Sequence, residues 1–337
     1  MTVPNRTSAL TSTGSAPARS RHHRAGGVAG RLSILGAAVL WGTTGTASSL
    51  APVGAPAAAV GSAGLALGGA LLVATTRGAW SLRTYTGAER WLLGLGALAV
   101  AGYPVTFYPA VARAGVAVTT VIALGSAPVF AGLLSWLTGQ TRPTTRWVCA
   151  TVAAVSGCVL LVLGPELAGA TTPVQPTGLA LAALAGLSYA GYSVVGGTLI
   201  ARGHPANAVV GAMFGAAAMV VLPVVLAVGT HWLASVRGVA VALHLAILTT
   251  FVAYRLFGRG LRHTSAQVAT TLTLAEPAVA AVLGVALLGE RLPTLSWWGL
   301  AVLVVGLVVL AVPAGVGPGR AERGPAGPPL NTPSPGR

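Results

Sequence analysis

Ten apolar runs of about 18–24 residues follow one another along the chain, each long enough to cross the roughly 30 Å hydrocarbon of a bilayer as a helix. They lie near 32–50, 56–76, 91–110, 115–138, 147–164, 177–200, 206–229, 238–256, 265–288 and 296–313. Short stretches rich in Pro, Gly and Arg separate them. The flanks lack apolar periodicity. Residues 1–31 are rich in Ser, Thr, Pro, Gly and Arg, and residues 314–337 in Pro and Gly, so both read as disordered cytoplasmic tails. The pattern predicts an all-α integral membrane protein with ten transmembrane helices.

The pattern also repeats. GQTRPTTRW at 139–147 returns as GERLPTLSW at 289–297, so Gly139, Pro143, Thr144 and Trp147 recur as Gly289, Pro293, Thr294 and Trp297. Upstream, Pro128 matches Pro277, and each proline is expected to interrupt its helix. The chain thus divides into a first five-helix repeat at 32–164, an external linker at 165–176 and a second five-helix repeat at 177–313. Five is odd, so the second copy enters the membrane from the opposite side. Two inverted repeats related by an axis in the membrane plane follow, a geometry that permits alternating access.

Arginine positions test this assignment. With the N-terminus inside, seventeen of the 20 basic residues fall in cytoplasmic segments, and only Arg113, Arg237 and Arg291 fall outside. A missed or extra span would reverse every later loop and spoil the split. The bias predicts a multi-pass protein of the cell membrane with both termini cytoplasmic. The first run, preceded by arginines and followed by small residues at 51–57, fits a signal peptide loosely. Trp41 and the polar GTTGT stretch sit awkwardly in one, and the repeat needs this run as its first span.

Composition agrees. The 337 residues are 54% hydrophobic and 7% charged, with mean hydropathy +0.78, whereas soluble domains carry about 25% charged residues. All basic residues are Arg, and there is no Asp. A net charge of +15 invites a nucleic-acid partner. The charges lie between spans instead of in one patch, so the expected partners are the bilayer and a small molecule. Cys149 and Cys158 are nine residues apart, on opposite faces of one helix at about 100° per residue, and read as two small apolar residues.

The polar chemistry inside the spans is sparse. Trp80, Trp91, Trp136, Trp147, Trp232, Trp297 and Trp298 fall at span ends or in loops, as an interfacial belt does. Trp41 lies in mid-span and shares a helix face with Thr44, Gly45 and Ser48. The second copy presents Tyr189, Tyr192, Ser193 and Gly196 at the matching positions. Such stripes line a cavity or pack helices through small residues and hydroxyls. Glu276 is the twelfth of the 24 residues in the ninth run, the one acid at such depth. An ionised carboxylate there costs roughly 2.5–3.5 kcal/mol, so it faces protein or water, or takes up a proton. It reads as a proton carrier, as the partner of a substrate amine, or as a structural acid bonded to a neighbouring helix. Pro277 lacks an N–H, which is expected to leave the Thr273 carbonyl free on the face that carries Thr273 and Glu276. Ala127 occupies the matching position of the first copy. His244 and Tyr103 are further intramembrane polar groups, each a site candidate or a hydrogen-bond partner of a helix carbonyl. Gly64 and Gly68 form a GxxxG that predicts close helix packing. No phosphate-binding GxxxxGK[ST], paired carboxylate, HExxH or His/Cys ligand cluster occurs, so neither a metal nor a cofactor is expected and a membrane enzyme lacks a catalytic constellation, while a non-transporting membrane scaffold or sensor stands as a lesser alternative to a transporter.

Taken together, the ten spans as two fives, WGTTG in the first span, the paired GQTRPTTRW and GERLPTLSW, and above all GRGLRHTSAQVATTLTLAEPAVAAVLGVALLGERL at 258–292 resemble the drug/metabolite transporter superfamily, in particular its EamA-type members. The resemblance implies a central cavity between the halves, alternating access and, for many members, export of amino acids, other metabolites or drugs. It reaches over about 32–313 and fixes no substrate. The expectation is a secondary transporter exporting a small organic metabolite, an amino acid or a related compound, with multidrug export as the alternative. Trp41, Thr44, Tyr103, Tyr189, Tyr192, His244 and Thr273 are the expected substrate-facing residues, and Glu276 the expected proton-coupling or amine-binding one. The topology is directly testable: epitope tags fused at either end are expected to be digested in inside-out vesicles and spared in right-side-out ones, and the reverse result for either tag removes the ten-span assignment.

Overall fold

The computed structural model of the chain describes residues 16–76, 82–167, 175–289 and 291–312. The helices are α1 (Ala16–Ser49), α2 (Ala57–Ala74), α3 (Gly87–Ala114), α4 (Val116–Leu137), α5 (Thr145–Leu167), α6 (Pro176–Ala201) and α7 (Ala206–Val228). Then come α8 (Val236–His244), continued by a π-helical stretch Leu245–Val252 into α9 (Ala253–Leu261), followed by α10 (Ala266–Leu272), α11 (Ala275–Leu288) and α12 (Thr294–Ala311). Among the described residues nine helical segments are long and apolar enough to span a membrane, with Val236–Leu261 and Ala266–Leu287 each counting as one. α1 is the further long helix. Its second half carries Thr43, Thr44, Thr46, Ser48 and Ser49, which dilute its apolar character, and its helical backbone begins at Ala16, inside the stretch read from sequence as tail. Residues 1–15, the C-terminal tail 314–337, most of the linker (168–174), Trp80 and Glu290 lie outside the described residues.

Local chemistry sets the element ends. Gly139 and Gly289, the repeated glycines, both take a left-handed conformation (φ +68° and +69°) just past a helix, where a side chain would be strained. Pro143–Thr144 and Pro293–Thr294 then lead into the next helix. The duplicated motif is therefore a helix–turn–helix junction used twice. Arg31 and Arg146 reach the C-terminal carbonyls of α12, Arg31 at 3.1 Å from the Ala311 oxygen, and complement that helix end.

The two halves interlock. α5 packs on α12, α3 on α6 and α2 on α7, while α1 lies between α9 and α11. The α5–α12 contact is made backbone to backbone. Gly157 abuts the Gly299 carbonyl and the Leu303 nitrogen, and Gly306 abuts the Ala150 carbonyl and the Ala154 nitrogen. Adding 149 to Ala150, Ala154 and Gly157 gives Gly299, Leu303 and Gly306, so the contact is nearly symmetric between the halves, one residue from the 150-residue spacing of Trp147 and Trp297. Partners rise along one helix as they fall along the other, which makes the pair antiparallel. Lipid tails are as apolar as Leu, so close van der Waals approach through small residues is what binds helices here. Gly64 and Gly68 act likewise, seating α2 on Leu245, Ala246 and Thr250.

Two expectations change. Trp91, Trp136, Trp297 and Trp298 are exposed at helix ends as a belt requires, but Trp147 and Trp232 are only 8% and 6% exposed. Trp147 fills the space over Gly132 and donates from Nε1 to the Gln267 carbonyl at 3.1 Å and the Thr271 hydroxyl at 3.2 Å. Pro128 does not break α4, which runs unbroken through it. One proline deletes one N–H, and the packing of α4 on α6 and α5 keeps the rest of the ladder in register.

A Gly157→Leu substitution forces a side chain into α12 backbone that cannot yield. It is expected to cost on the order of 1–3 kcal/mol or more, read as a lower melting temperature in detergent, whereas Gly45→Ala, with nothing within 4 Å of the added carbon, is expected to melt as wild type.

Candidate functional site

The ninth span is the one that breaks, and Glu276 stands at the break. α10 ends at Leu272 and α11 starts at Ala275. Three threonines prepare the interruption. Thr270 donates to the Ala266 and Gln267 carbonyls, Thr271 to Gln267 at 2.9 Å and Thr273 to Thr270 at 2.9 Å, each competing with the helix's own amides. Their counterparts in α4, 149 residues earlier, are Val121, Ile122 and Leu124, which offer no such competition. The Thr273 carbonyl is not free, as the sequence led us to expect. It accepts the Glu276 N–H at 2.9 Å in a tight turn. Pro277 then occupies the first turn of α11, where a missing N–H goes unnoticed.

Glu276 itself is partly exposed deep in the bundle. Among the described residues its carboxylate has no hydrogen bond and no ion pair. It lies within electrostatic range of Tyr103, Tyr189 and Tyr254. Gly42 of α1 abuts the Glu276 carbonyl and Val279, so α1 can approach this turn only because that position lacks a side chain.

Behind Glu276 stands an aromatic wall. Trp41 meets Tyr189 edge-on at 6.3 Å between ring centroids, Tyr254 at 4.9 Å and Phe257 at 5.5 Å. Tyr189 stacks on Tyr192 at 5.2 Å and meets Tyr103 at 6.3 Å. The polar tips are engaged. Trp41 Nε1 donates to the Thr249 carbonyl at 2.8 Å, Tyr189 to the Thr273 hydroxyl at 2.6 Å, and the Tyr192 and Tyr254 hydroxyls share a bond of 3.1 Å. Thr249 belongs to the π-helical stretch. Just above, Thr43 bonds His244 Nε2 at 2.8 Å.

The expected site residues therefore divide. Trp41, Tyr189, Tyr192 and Thr273 are buried and form the wall, while Tyr103, His244, Thr44 and Glu276 are partly exposed. Thr44 has no hydrogen bond among the described residues, whereas its neighbour Thr43 is bonded. Pro277 flanks the break, and Pro128 lies buried in α4. Sequence reading missed Thr43, Tyr254 and Phe257. Tyr254 sits two residues before the predicted end of its span and beside Arg255, and the helix in fact continues to Leu261. A cavity of about 990 Å³ opens elsewhere, between α3, α4, α6 and α10, and none of the expected residues lines it.

Trp41→Phe removes the indole donor to the Thr249 carbonyl and Tyr189→Phe the donor to the Thr273 hydroxyl, and each is expected to lower stability by about 0.6–1.7 kcal/mol, the range of an interhelical hydrogen bond in a membrane. Thermal melting of the purified variants measures both, and a Trp41→Phe protein that melts as wild type would show the bond to be dispensable.

Known proteins share this architecture. Residues 28–163 and 176–312 each match the EamA-like transporter family. The chain is 36% identical over 283 residues to the uncharacterized transporter YwfM of Bacillus subtilis (strain 168), covering 83% of this chain and 93% of that protein. It is 30% identical over 276 residues to the threonine/homoserine exporter RhtA of Escherichia coli (strain K12), covering 80% and 87%. A solved crystal structure with 20% identity superposes with a TM-score of 0.67 over 83% of this chain and 95% of that one, a likeness of fold. With both halves matched and an all-helical membrane bundle built from them, the chain belongs to the EamA-like transporter family and is a multi-pass membrane transporter.

Proposed function

We propose that the protein exports a small amine-bearing metabolite, an amino acid or a close relative, in exchange for protons, with Glu276 as the shared site. The observation that carries this reading is the unpartnered, partly exposed carboxylate at the broken span. In a low-dielectric interior such a group must take a proton or a cation. One carboxylate holds either a proton or a substrate ammonium, and that competition is the simplest physical basis for exchange. Tyr103 and Tyr254 offer hydroxyls and ring faces to the rest of the molecule, and Thr44 a free hydroxyl. The threonine/homoserine exporters at about 30% identity support an amino-acid-like substrate. The distribution of arginines supports a protein of the cell membrane with both termini in the cytoplasm. Multidrug export is the second reading, favoured by the partly exposed rings of Tyr103, Phe107, Tyr108 and Tyr254.

Proteoliposomes loaded with a panel of amino acids and amines, with and without a pH gradient, test both. Wild-type protein is expected to move an amine-bearing solute in a pH-dependent manner. Glu276→Gln is expected to lose at least about tenfold in flux, as removal of one charge-assisted contact predicts, together with the pH dependence. Undiminished, still pH-dependent flux through a normally folded Glu276→Gln protein refutes the role of this carboxylate. Inhibition by bulky apolar cations, with no flux of amino acids, selects the multidrug reading.

A further inference from the structure

The 990 Å³ cavity has a chemistry of its own. It lies on the seam between the halves, with α3 and α4 on one side and α6 and α10 on the other. Its floor is apolar: Leu92, Leu95, Leu98, Leu187, Val194 and Val195. Leu95 and Leu98 are 55% and 64% exposed, and Leu187 is exposed too, so the cavity opens sideways onto the surface that meets lipid tails. Gly191 and Gly197 in its wall leave room, the nearest atoms to an added carbon being ordinary contacts at 3.5 and 3.9 Å. One end is polar, with Thr138, Gln140, Thr198, Arg202, Thr264 and Ser265. From Leu187 to Arg202 the lining runs fifteen residues along α6, about 22 Å. That exceeds the ~15 Å of hydrocarbon in one leaflet and reaches the headgroup layer.

Two groups at the polar end want a partner. The Thr264 hydroxyl oxygen is buried and bonded to nothing. The Arg202 guanidinium is 48% exposed and stands 3.7 Å from Glu89, beyond hydrogen-bond distance. Glu89 is already occupied. Its carboxylate accepts the Thr86 N–H at 2.9 Å in a capping box and faces His204 Nε2 at 3.3 Å, and Tyr85 stacks on His204 at 4.2 Å. So Glu89 is held without Arg202, and Arg202 is loosely held by Glu89. A groove with a leucine floor open to the bilayer and, at headgroup depth, a guanidinium held only by a long, exposed ion pair fits an amphiphile with an anionic head.

We infer that this cavity binds an anionic phospholipid of the surrounding bilayer, one acyl chain lying along α3 and α6 and the phosphate on Arg202. Arg pairs with phosphate through two parallel N–H···O bonds, which a zwitterionic head masks with its own cation. Because the groove crosses the seam, a bound lipid touches both halves at once and competes with Glu89 for Arg202.

The test compares wild type, Arg202→Gln, Arg202→Lys and Gly191→Leu, purified from the same membranes and tested for folding by thermal melting. Native mass spectrometry reads the retained lipid. Vesicles of phosphatidylglycerol and of phosphatidylcholine read its effect on stability. Wild type is expected to keep anionic phospholipid and to be stabilised by phosphatidylglycerol alone. Arg202→Gln is expected to lose about tenfold in retention, the value of one charge-assisted contact. Arg202→Lys restores part of it, and Gly191→Leu, which fills the groove, abolishes it. Equal retention by wild type and Arg202→Gln, equal retention of phosphatidylcholine, or stabilisation by inorganic phosphate in place of lipid overturns the inference. Should Gly191→Leu fail to fold, the Arg202 pair still decides.

Discussion

In hydrocarbon every backbone N–H and C=O has to find its partner inside the protein, and that constraint governs where this bundle can afford an irregular helix. Among the described residues there are two main places, and α1 packs against both. At the break between α10 and α11 the loose groups are taken up by threonine hydroxyls and by the Glu276 N–H. At the π-helical stretch between α8 and α9 the Thr249 carbonyl is taken up by the Trp41 indole. Each irregularity is tolerable because a side chain or a tight turn completes it. Each in turn brings a polar residue to the centre, Glu276 in one case and His244 in the other.

The same constraint explains why the halves are not equivalent although their folds are. The first copy has Val121, Ile122, Leu124 and Ala127 where the second has Thr270, Thr271, Thr273 and Glu276. A proline stands one residue further on in both, yet α4 is unbroken and the ninth span is not. Proline alone therefore does not interrupt this helix. The hydroxyls that compete for its carbonyls do, and they accompany the acid at mid-span, Glu276. Asymmetry at the centre of a duplicated scaffold is where substrate-reading chemistry has room to evolve, since α5, α12 and their glycines already carry the assembly.

Sequence gave access to what depends on periodicity and on chemically extreme residues. Nine span positions came within about five residues because a bilayer demands about 20 apolar residues in a row, whereas α1 starts well before the first predicted run. The paired Gly-x-x-x-Pro-Thr junctions were visible because glycine adopts φ near +70° far more readily than residues with a side chain. The lone acid was visible because it is expensive. What stayed hidden depends on neighbours far along the chain. Trp147 and Trp297 occupy matching positions in the repeat, yet the first is buried on α10 and the second is exposed. Only the partner helix separates a belt residue from a core residue. Tyr254 was obscured by Arg255, whose guanidinium does not end the helix because it reaches the Thr75 hydroxyl at 2.8 Å. The π-helical stretch has no composition of its own and was not legible at all.

Magnitudes suggest which contacts can yield during a transport cycle. Interhelical hydrogen bonds in membranes are worth about 0.6 kcal/mol on average and seldom above about 1.7, because a displaced group finds another partner. The bonds from Trp41 to Thr249, Tyr189 to Thr273 and Thr43 to His244 are of this kind, and all three lie around the centre. Two of them join one half to the other directly. The α5–α12 contact is different. Backbone meets backbone through Gly157, Gly299 and Gly306, and sliding or splaying the pair loses many close contacts with nothing to replace them. That interface is nearly symmetric between the halves, so a movement of one half against the other need not disturb it, whereas the weak polar contacts at the centre can be exchanged at little cost. The division of labour follows from chemistry. A glycine-lined helix pair holds the halves together by close backbone contact, and the hydrogen bonds around the centre are individually weak.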